Sequence, residues 1–197
     1  FIAAHVLDVI FYTPERFANE GPLVLFKFWE GMSSFGGFVG AFVGFQIFRT
    51  RLGKSVWVHA DILVEALVIG WIFGRLGCTL VMDHPGALST FVLAFDRPDG
   101  ARHNLGFYEF LYTLFVLGPT VWVLNRRPRV PGISALVISL LYAVVRFVLD
   151  FFRAEDGKVV DPRFLGLTFA QYCCILLVLF AAVMIGRLSS TPGKAPR

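Results

Sequence analysis

Two arginines stand inside apolar stretches of the chain. Arg75 lies within Ile69–Met82 and Arg146 within Leu140–Asp150. A guanidinium has five N–H donors, no acceptor and a permanent charge. At the centre of a bilayer such a charge costs about 2.5 kcal/mol or more, so each must find an anion or water. Two guanidiniums at one depth can grip a single anionic group, and a phosphate suits their planar forks. Asp150 and Arg153 follow Arg146 at i+4 and i+7 on one helical face, so Asp150 is expected to pair with at least one arginine and to orient Arg146. No acid lies one turn from Arg75, and Asp83 is two turns on. The competing reading is that each arginine snorkels to the interface or pairs locally and grips nothing. Cys78, one turn after Arg75 and on its face, is either a nucleophile or a small packing residue.

The elements that must carry these residues are membrane spans. The 197-residue chain is 56% hydrophobic and 16% charged, where a soluble domain carries about a quarter charged residues. Its mean hydropathy is +0.69. The apolar runs are Phe1–Tyr12, Ser34–Phe48, Ala60–Met82, Phe107–Leu124, Pro131–Phe152 and Gly166–Gly186. The expected fold is therefore all-α, a polytopic helical membrane protein with about six transmembrane segments. Phe1 opens directly on an apolar run shorter than a full span, which needs roughly 20 residues. The chain thus reads as one transmembrane domain over 1–197 that begins inside a helix, with a tail from 187 onward.

Charge in the connections predicts orientation. Residues 49–58 and 125–130 carry Arg or Lys and no acid, and the tail carries Arg187, Lys194 and Arg197. The connections 13–33, 83–106 and 153–165 mix both signs. By the positive-inside rule the first set is cytoplasmic and the second external. Arg75 and Arg146 then both lie roughly 10 Å inside the external boundary, within reach of outer-leaflet head groups. The net charge of +4 clusters in short loops and forms no basic stripe on a soluble face, which argues against nucleic-acid binding. The three cysteines have no metal-ligand spacing, and neither a metal site nor a cofactor is expected. Gly36, Gly37, Gly40 and Gly44 form overlapping G-x-x-x-G spacings that favour close helix packing. Gly36 and Gly37 can also bring backbone near a ligand.

Five stretches together resemble the prolipoprotein diacylglyceryl transferase family over nearly the whole chain. Gly74-Arg75-Leu76-Gly77 is similar to the start of its G-R-x-G-N-F-x-N-x-E signature, and Asp61 sits where the family has an early acid in that helix. Trp29 to Gly37 resembles W-x-G-G-M-S-F-H-G-G, and His103 to Glu109 resembles H-P-x-Q-L-Y-E. Tyr142 to Arg153 resembles Y-G-x-x-R-F-x-x-E-F-x-R, and Gly166 to Gln171 resembles L-T-x-G-Q. The resemblance implies a seven-helix bacterial inner-membrane enzyme with a cytoplasmic C-terminus, one helix more than the six runs above. It implies transfer of a diacylglyceryl group from phosphatidylglycerol to the lipobox cysteine of a prolipoprotein signal segment. The partners would be phosphatidylglycerol, that segment and membrane lipid.

The departures from the pattern lie in the same region. Phe35 stands at the histidine of H-G-G, Cys78 and Val81 at the two asparagines, and Asp83 and Asp150 at glutamates. With that histidine absent, His84 beside Asp83 and His103 are the candidate proton acceptors, and His84 is favoured with Asp83 fixing its tautomer. The catalytic set implied is Arg75, Arg146, Asp83, His84 and His103. The lipid-binding set is Gly36, Gly37, Gly74, Gly77, Cys78, Tyr142, Asp150 and Arg153. The alternatives are an inactive family member that binds lipid or lipoprotein segments, and a small transporter. The transporter ranks last because the inner halves of the helices are almost wholly apolar.

Overall fold

The computed structural model describes residues 1–190 other than Tyr12, Ser33, Lys54, Asp83, His84, Arg127 and 156–162. The chain forms two compact units, Phe1–Val56 and Trp57–Arg197. The first contains α1 (Ile2–Phe11), α2 (Pro14–Glu20), a 3-10 turn over Pro22–Phe26 and α3 (Ser34–Leu52). His5 is buried, and its ring nitrogens bond the carbonyls of Gly31 at 3.0 Å and Val24 at 2.9 Å, tying α1 to the segment after α2. A Cβ at Gly40 would sit 2.8 Å from the Ala3 Cβ, so α1 and α3 touch where only hydrogen fits. The close packing expected of the G-x-x-x-G spacing is therefore met at Gly40. A Cβ at Gly37 or Gly44 meets nothing within 4 Å.

In the second unit, among the described residues, four helices are long and apolar enough to cross a membrane: α4 (Val56–Val81), the stretch Leu105–Asn125, Ile133–Phe152 and Phe169–Ser189. Helices satisfy their own backbone groups in lipid, which is why apolar runs of this length adopt them. Leu105–Asn125 divides into α5 (Leu105–Tyr112), a π turn over Thr113–Leu117 and α6 (Gly118–Asn125). α7 (Ile133–Leu149) ends in a 3-10 turn over Asp150–Phe152, and α8 spans Phe169–Ser189. Val68, Leu117 and Ile138 form the shared core, with Tyr112 and Tyr142 packed against it.

Two of the connections carry small sheets that the all-α expectation does not include. Residues 85–104 form a three-stranded antiparallel sheet in the order β1 (Pro85–Leu88), β3 (Arg102–Asn104), β2 (Ala94–Phe95). β4 (Arg163–Phe164) and β5 (Leu167–Thr168) form a hairpin, and a Gly86–Arg153 bridge joins the two connections. Gly86 is required at that bridge, because a Cβ there would lie 2.5 Å from the Phe152 carbonyl oxygen. The hairpin turn is Leu165–Gly166, with φ of 49° and 80°. A left-handed leucine costs roughly 1–2 kcal/mol. The run expected to be helical from Gly166 therefore starts its helix only at Phe169, after the turn and the cap.

Asp61 explains how α7 is held at its start. Its carboxylate accepts from the backbone N–H of Gly132 at 2.7 Å and of Ala135 at 2.8 Å. Helix N-termini leave such donors unpaired, and here a side chain on α4 caps α7. Gly132 has φ of 98°, and a Cβ there would strike the Trp57 ring at 2.5 Å. On the same side of α4, Glu65 pairs with Arg129 at 2.5 Å. Replacing Asp61 with Ala should lower stability by about 1–2 kcal/mol, the usual worth of a cap. Thermal unfolding in detergent micelles, compared with Asp61→Asn, measures it. An unchanged midpoint for both would mean the cap contributes nothing.

Candidate functional site

The site is assembled where α4, α5 and α7 meet the sheet and hairpin. Asn104 caps α5: its Oδ1 accepts from Phe107 N at 3.1 Å, and its Nδ2 donates to the Thr79 carbonyl at 3.1 Å. One residue serves both the start of α5 and the end of α4. Gly106 then lets the two backbones touch, since a Cβ there would come within 3.1 Å of Cys78 and of Thr79 N. The helices are joined through the 82–104 connection and run in opposite directions. Three residues deeper on each, Glu109 of α5 stands opposite Arg75 of α4.

Glu109 is the centre of the arrangement. Arg75 Nε lies 2.7 Å from Glu109 Oε2, and Arg146 Nη1 donates to Oε1 at 2.8 Å. One carboxylate thus spans both arginines, with its side chain only 4% exposed. Arg146 Nη2 pairs in turn with Asp150 Oδ1 at 3.0 Å, and Arg153 Nε lies 3.8 Å from the same oxygen. Asp150 Oδ2 accepts from the Thr168 hydroxyl. Thr168 is the N-cap of α8 in a capping box, accepting from Gln171 N at 3.2 Å while Gln171 Oε1 accepts from Thr168 N at 2.9 Å. The Gln171 amide also donates to the Phe147 carbonyl at 3.1 Å. The end of α7 and the start of α8 are therefore locked together around Asp150.

Three guanidiniums (Arg75, Arg146, Arg153) and two carboxylates (Glu109, Asp150) thus form one chain of ion pairs. Along α4, Ala66, Gly70, Trp71, Gly74, Arg75 and Cys78 line part of an open, mainly apolar groove of about 500 Å³. The Arg75 guanidinium sits 5.4 Å from the Trp71 ring centre, and its Nη1 is 3.9 Å from Cys78 Sγ. Tyr142 packs edge-on against Trp71 with ring centres 5.0 Å apart.

The structure places the sequence-named residues unevenly. Arg75, Arg146, Asp150, Arg153, Cys78 and Tyr142 belong to this one cluster. Gly74 lines the groove, and Gly77 is exposed with nothing within 4 Å of a built Cβ. His103 lies on β3, its Nδ1 2.8 Å from the Tyr108 hydroxyl and its ring against Phe152 at 5.1 Å. Gly36 and Gly37 are in the first turn of α3, in the N-terminal unit. Asp83 and His84 lie outside the described residues. Glu109, the acid that Arg75 lacks one turn away on its own helix, is not among the sequence candidates. Its signal was present: an ionisable residue inside a span is a functional position by default.

The model of the family described as prolipoprotein diacylglyceryl transferase matches residues 1–187. Among curated relatives, a Janthinobacterium sp. (strain Marseille) protein is 28% identical over 192 residues, covering 93% of this chain and 71% of its own. A Mannheimia succiniciproducens protein is 30% identical over 196 residues, covering 98% of this chain and 67% of its own. One from Pseudomonas aeruginosa is 29% identical over 175 residues, 87% and 65% respectively. All three carry the name phosphatidylglycerol–prolipoprotein diacylglyceryl transferase.

Proposed function

The chain belongs to the prolipoprotein diacylglyceryl transferase family, and on that premise we propose that it moves diacylglyceryl from phosphatidylglycerol to a prolipoprotein cysteine. The observation that carries this reading is the arginine pair held on Glu109 beside an open, mainly apolar groove along α4. In the reaction, the cysteine sulfur attacks the glyceryl carbon that bears the phosphate ester. A C–S bond forms, the C–O bond breaks, and glycerol phosphate leaves with the electron pair. The thiol proton ends on the departing phosphate, directly or through a base. Arg75 and Arg146 stabilise the charge developing on that phosphate, as preorganised donors do. Asp150 holds Arg146 in place, and Tyr142, Gly74 and Cys78 shape the lipid side.

Orientation and span number extend the same reading. The four spans lie in the inner membrane with the C-terminus cytoplasmic, and α1 and α3 supply the two further segments of the six. The site then opens to the outer leaflet. His84 is the proposed proton acceptor, steadied by Asp83, because the His103 ring is already engaged with Tyr108. The second reading, an inactive lipid-binding relative, is favoured only by Phe35 at the family's histidine position.

Turnover decides between them. Full-length protein with phosphatidylglycerol and a lipobox peptide should yield the diacylglyceryl thioether by mass spectrometry. His84→Ala should lower turnover by about 100-fold or more, the usual worth of a positioned base, while His103→Ala retains most of it. Loss confined to His103→Ala would reverse the assignment. Bound phosphatidylglycerol with no product in the wild type would establish the inactive reading.

A further inference from the structure

Two connections on one side of the spans present exposed apolar tips, and both are fastened in the same way. The first tip is Phe91-Val92-Leu93, with Val92 86% exposed; the second is Phe164-Leu165, with Leu165 84% exposed. The Tyr108 hydroxyl donates to the Leu93 carbonyl at 3.3 Å, and the Tyr172 hydroxyl donates to the Phe164 carbonyl at 2.7 Å. Each tyrosine lies about one turn inside the start of a span, Tyr108 in α5 and Tyr172 in α8. A tyrosine at that level sits in the interfacial belt, its ring in the apolar zone and its hydroxyl toward the head groups. A backbone carbonyl bonded to that hydroxyl must be at the same depth. The tips are therefore placed by their own hydrogen bonds at the membrane surface, not out in water.

Leu165 adds an independent sign. Its φ of 49° is a conformation that asparagine or glycine adopts more easily. A turn serving only to reverse the chain would carry one of those residues, and this one carries a large apolar side chain directed outward. Phe169 at the start of α8 extends the same surface, being 63% exposed. We propose that Phe91-Val92 and Phe164-Leu165 are membrane anchors, buried in the boundary between phospholipid head groups and acyl chains on the side of these connections. Their partner is the lipid surface itself. They set the depth of the sheet and hairpin, and through Asn104 and Thr168 that depth is passed to Glu109 and to Asp150 and Arg146.

The first arm of the test reads depth without requiring any reaction, so it stands or falls apart from the transferase reading, and only the second arm rests on that reading. Val92→Cys and Leu165→Cys in the full-length protein are labelled with an environment-sensitive dye, reconstituted in phosphatidylcholine vesicles, and compared with labelled parent protein. Dye at both positions should be quenched by lipids carrying a nitroxide near the head group and protected from aqueous iodide. Quenching by iodide alone would overturn the proposal, as would protection that arises only when a lipobox peptide is added. A second variant, Leu165→Asn with Val92→Asn, relaxes the left-handed strain and should fold at least as well. Its activity should persist with short-chain phosphatidylglycerol in detergent and fall about fivefold or more in vesicles, because apolar burial at the interface is lost. Equal activity in both settings would also overturn it.

Discussion

Glu109→Gln should reduce turnover by about 100-fold or more and destabilise the protein, although the side chain keeps its shape. Removing one partner of a buried ion pair leaves an uncompensated charge, and that costs about 3–5 kcal/mol. Here one carboxylate serves two guanidiniums, Arg75 at 2.7 Å and Arg146 at 2.8 Å, so the amide leaves both under-neutralised. Freed of their shared partner, the two arginines should hold phosphatidylglycerol as tightly as before, or tighter, while losing the spacing that turnover needs. The expected signature is a low kcat with an unchanged or lowered KM. Stability and chemistry can be separated with Glu109→Leu combined with Arg75→Met and Arg146→Met, which removes the carboxylate together with both guanidiniums it serves. Apolar replacement of a complete buried ion set is often neutral or stabilising, so this variant should regain much of the unfolding midpoint and none of the turnover. A triple variant that turns over normally would remove all three residues from the site.

Arg75→Lys should cost about 100-fold in kcat with the charge retained, in the range found when one preorganised oxyanion donor is lost. The arginine uses Nε for Glu109 and directs Nη1 toward Cys78 at the edge of the groove. One planar group thus faces its support and the groove at the same time. An ammonium is a point charge on a flexible stem and cannot divide its donors between two fixed directions. It would collapse onto Glu109 and leave the groove without its donor. Single-turnover assays with lipobox peptide measure the effect. A lysine variant within about threefold of wild type would mean that charge alone suffices.

What the sequence disclosed follows from how each residue shows itself. Arg75 and Arg146 were legible because a charge inside an apolar run stands out, and Asp150 because its partner lies four residues away. Glu109 bonds to residues 34 and 37 positions distant, and no local spacing reports such a pair. Asp61 was visible as an acid but not as a cap, since its partners are backbone N–H groups of another helix. The spans were legible from length and hydropathy. The sheet was not, because strands of two to four residues are too short to show an alternating pattern. The helix start at Phe169 was carried by Thr168 and Gln171, a capping-box spacing that the apolar run beginning at Gly166 obscured.

The contact between Gly106 and Cys78 bears on how the protein meets bilayers of different thickness. Spans adapt to a thinner or thicker membrane by tilting, at a cost of fractions of a kcal/mol per ångström of mismatch. Where side chains interdigitate, such tilting repacks them. Here backbone lies against backbone and a small side chain, and a Cβ at Gly106 would come within 3.1 Å of both. A close contact of this kind should act as a pivot for α4 and α5, with displacement growing with distance from it. Arg75 and Glu109 lie a single turn away, so they should be among the atoms that move least. The far ends of the same helices should take up the tilt, and the ion pairs should keep their lengths while the membrane around them changes.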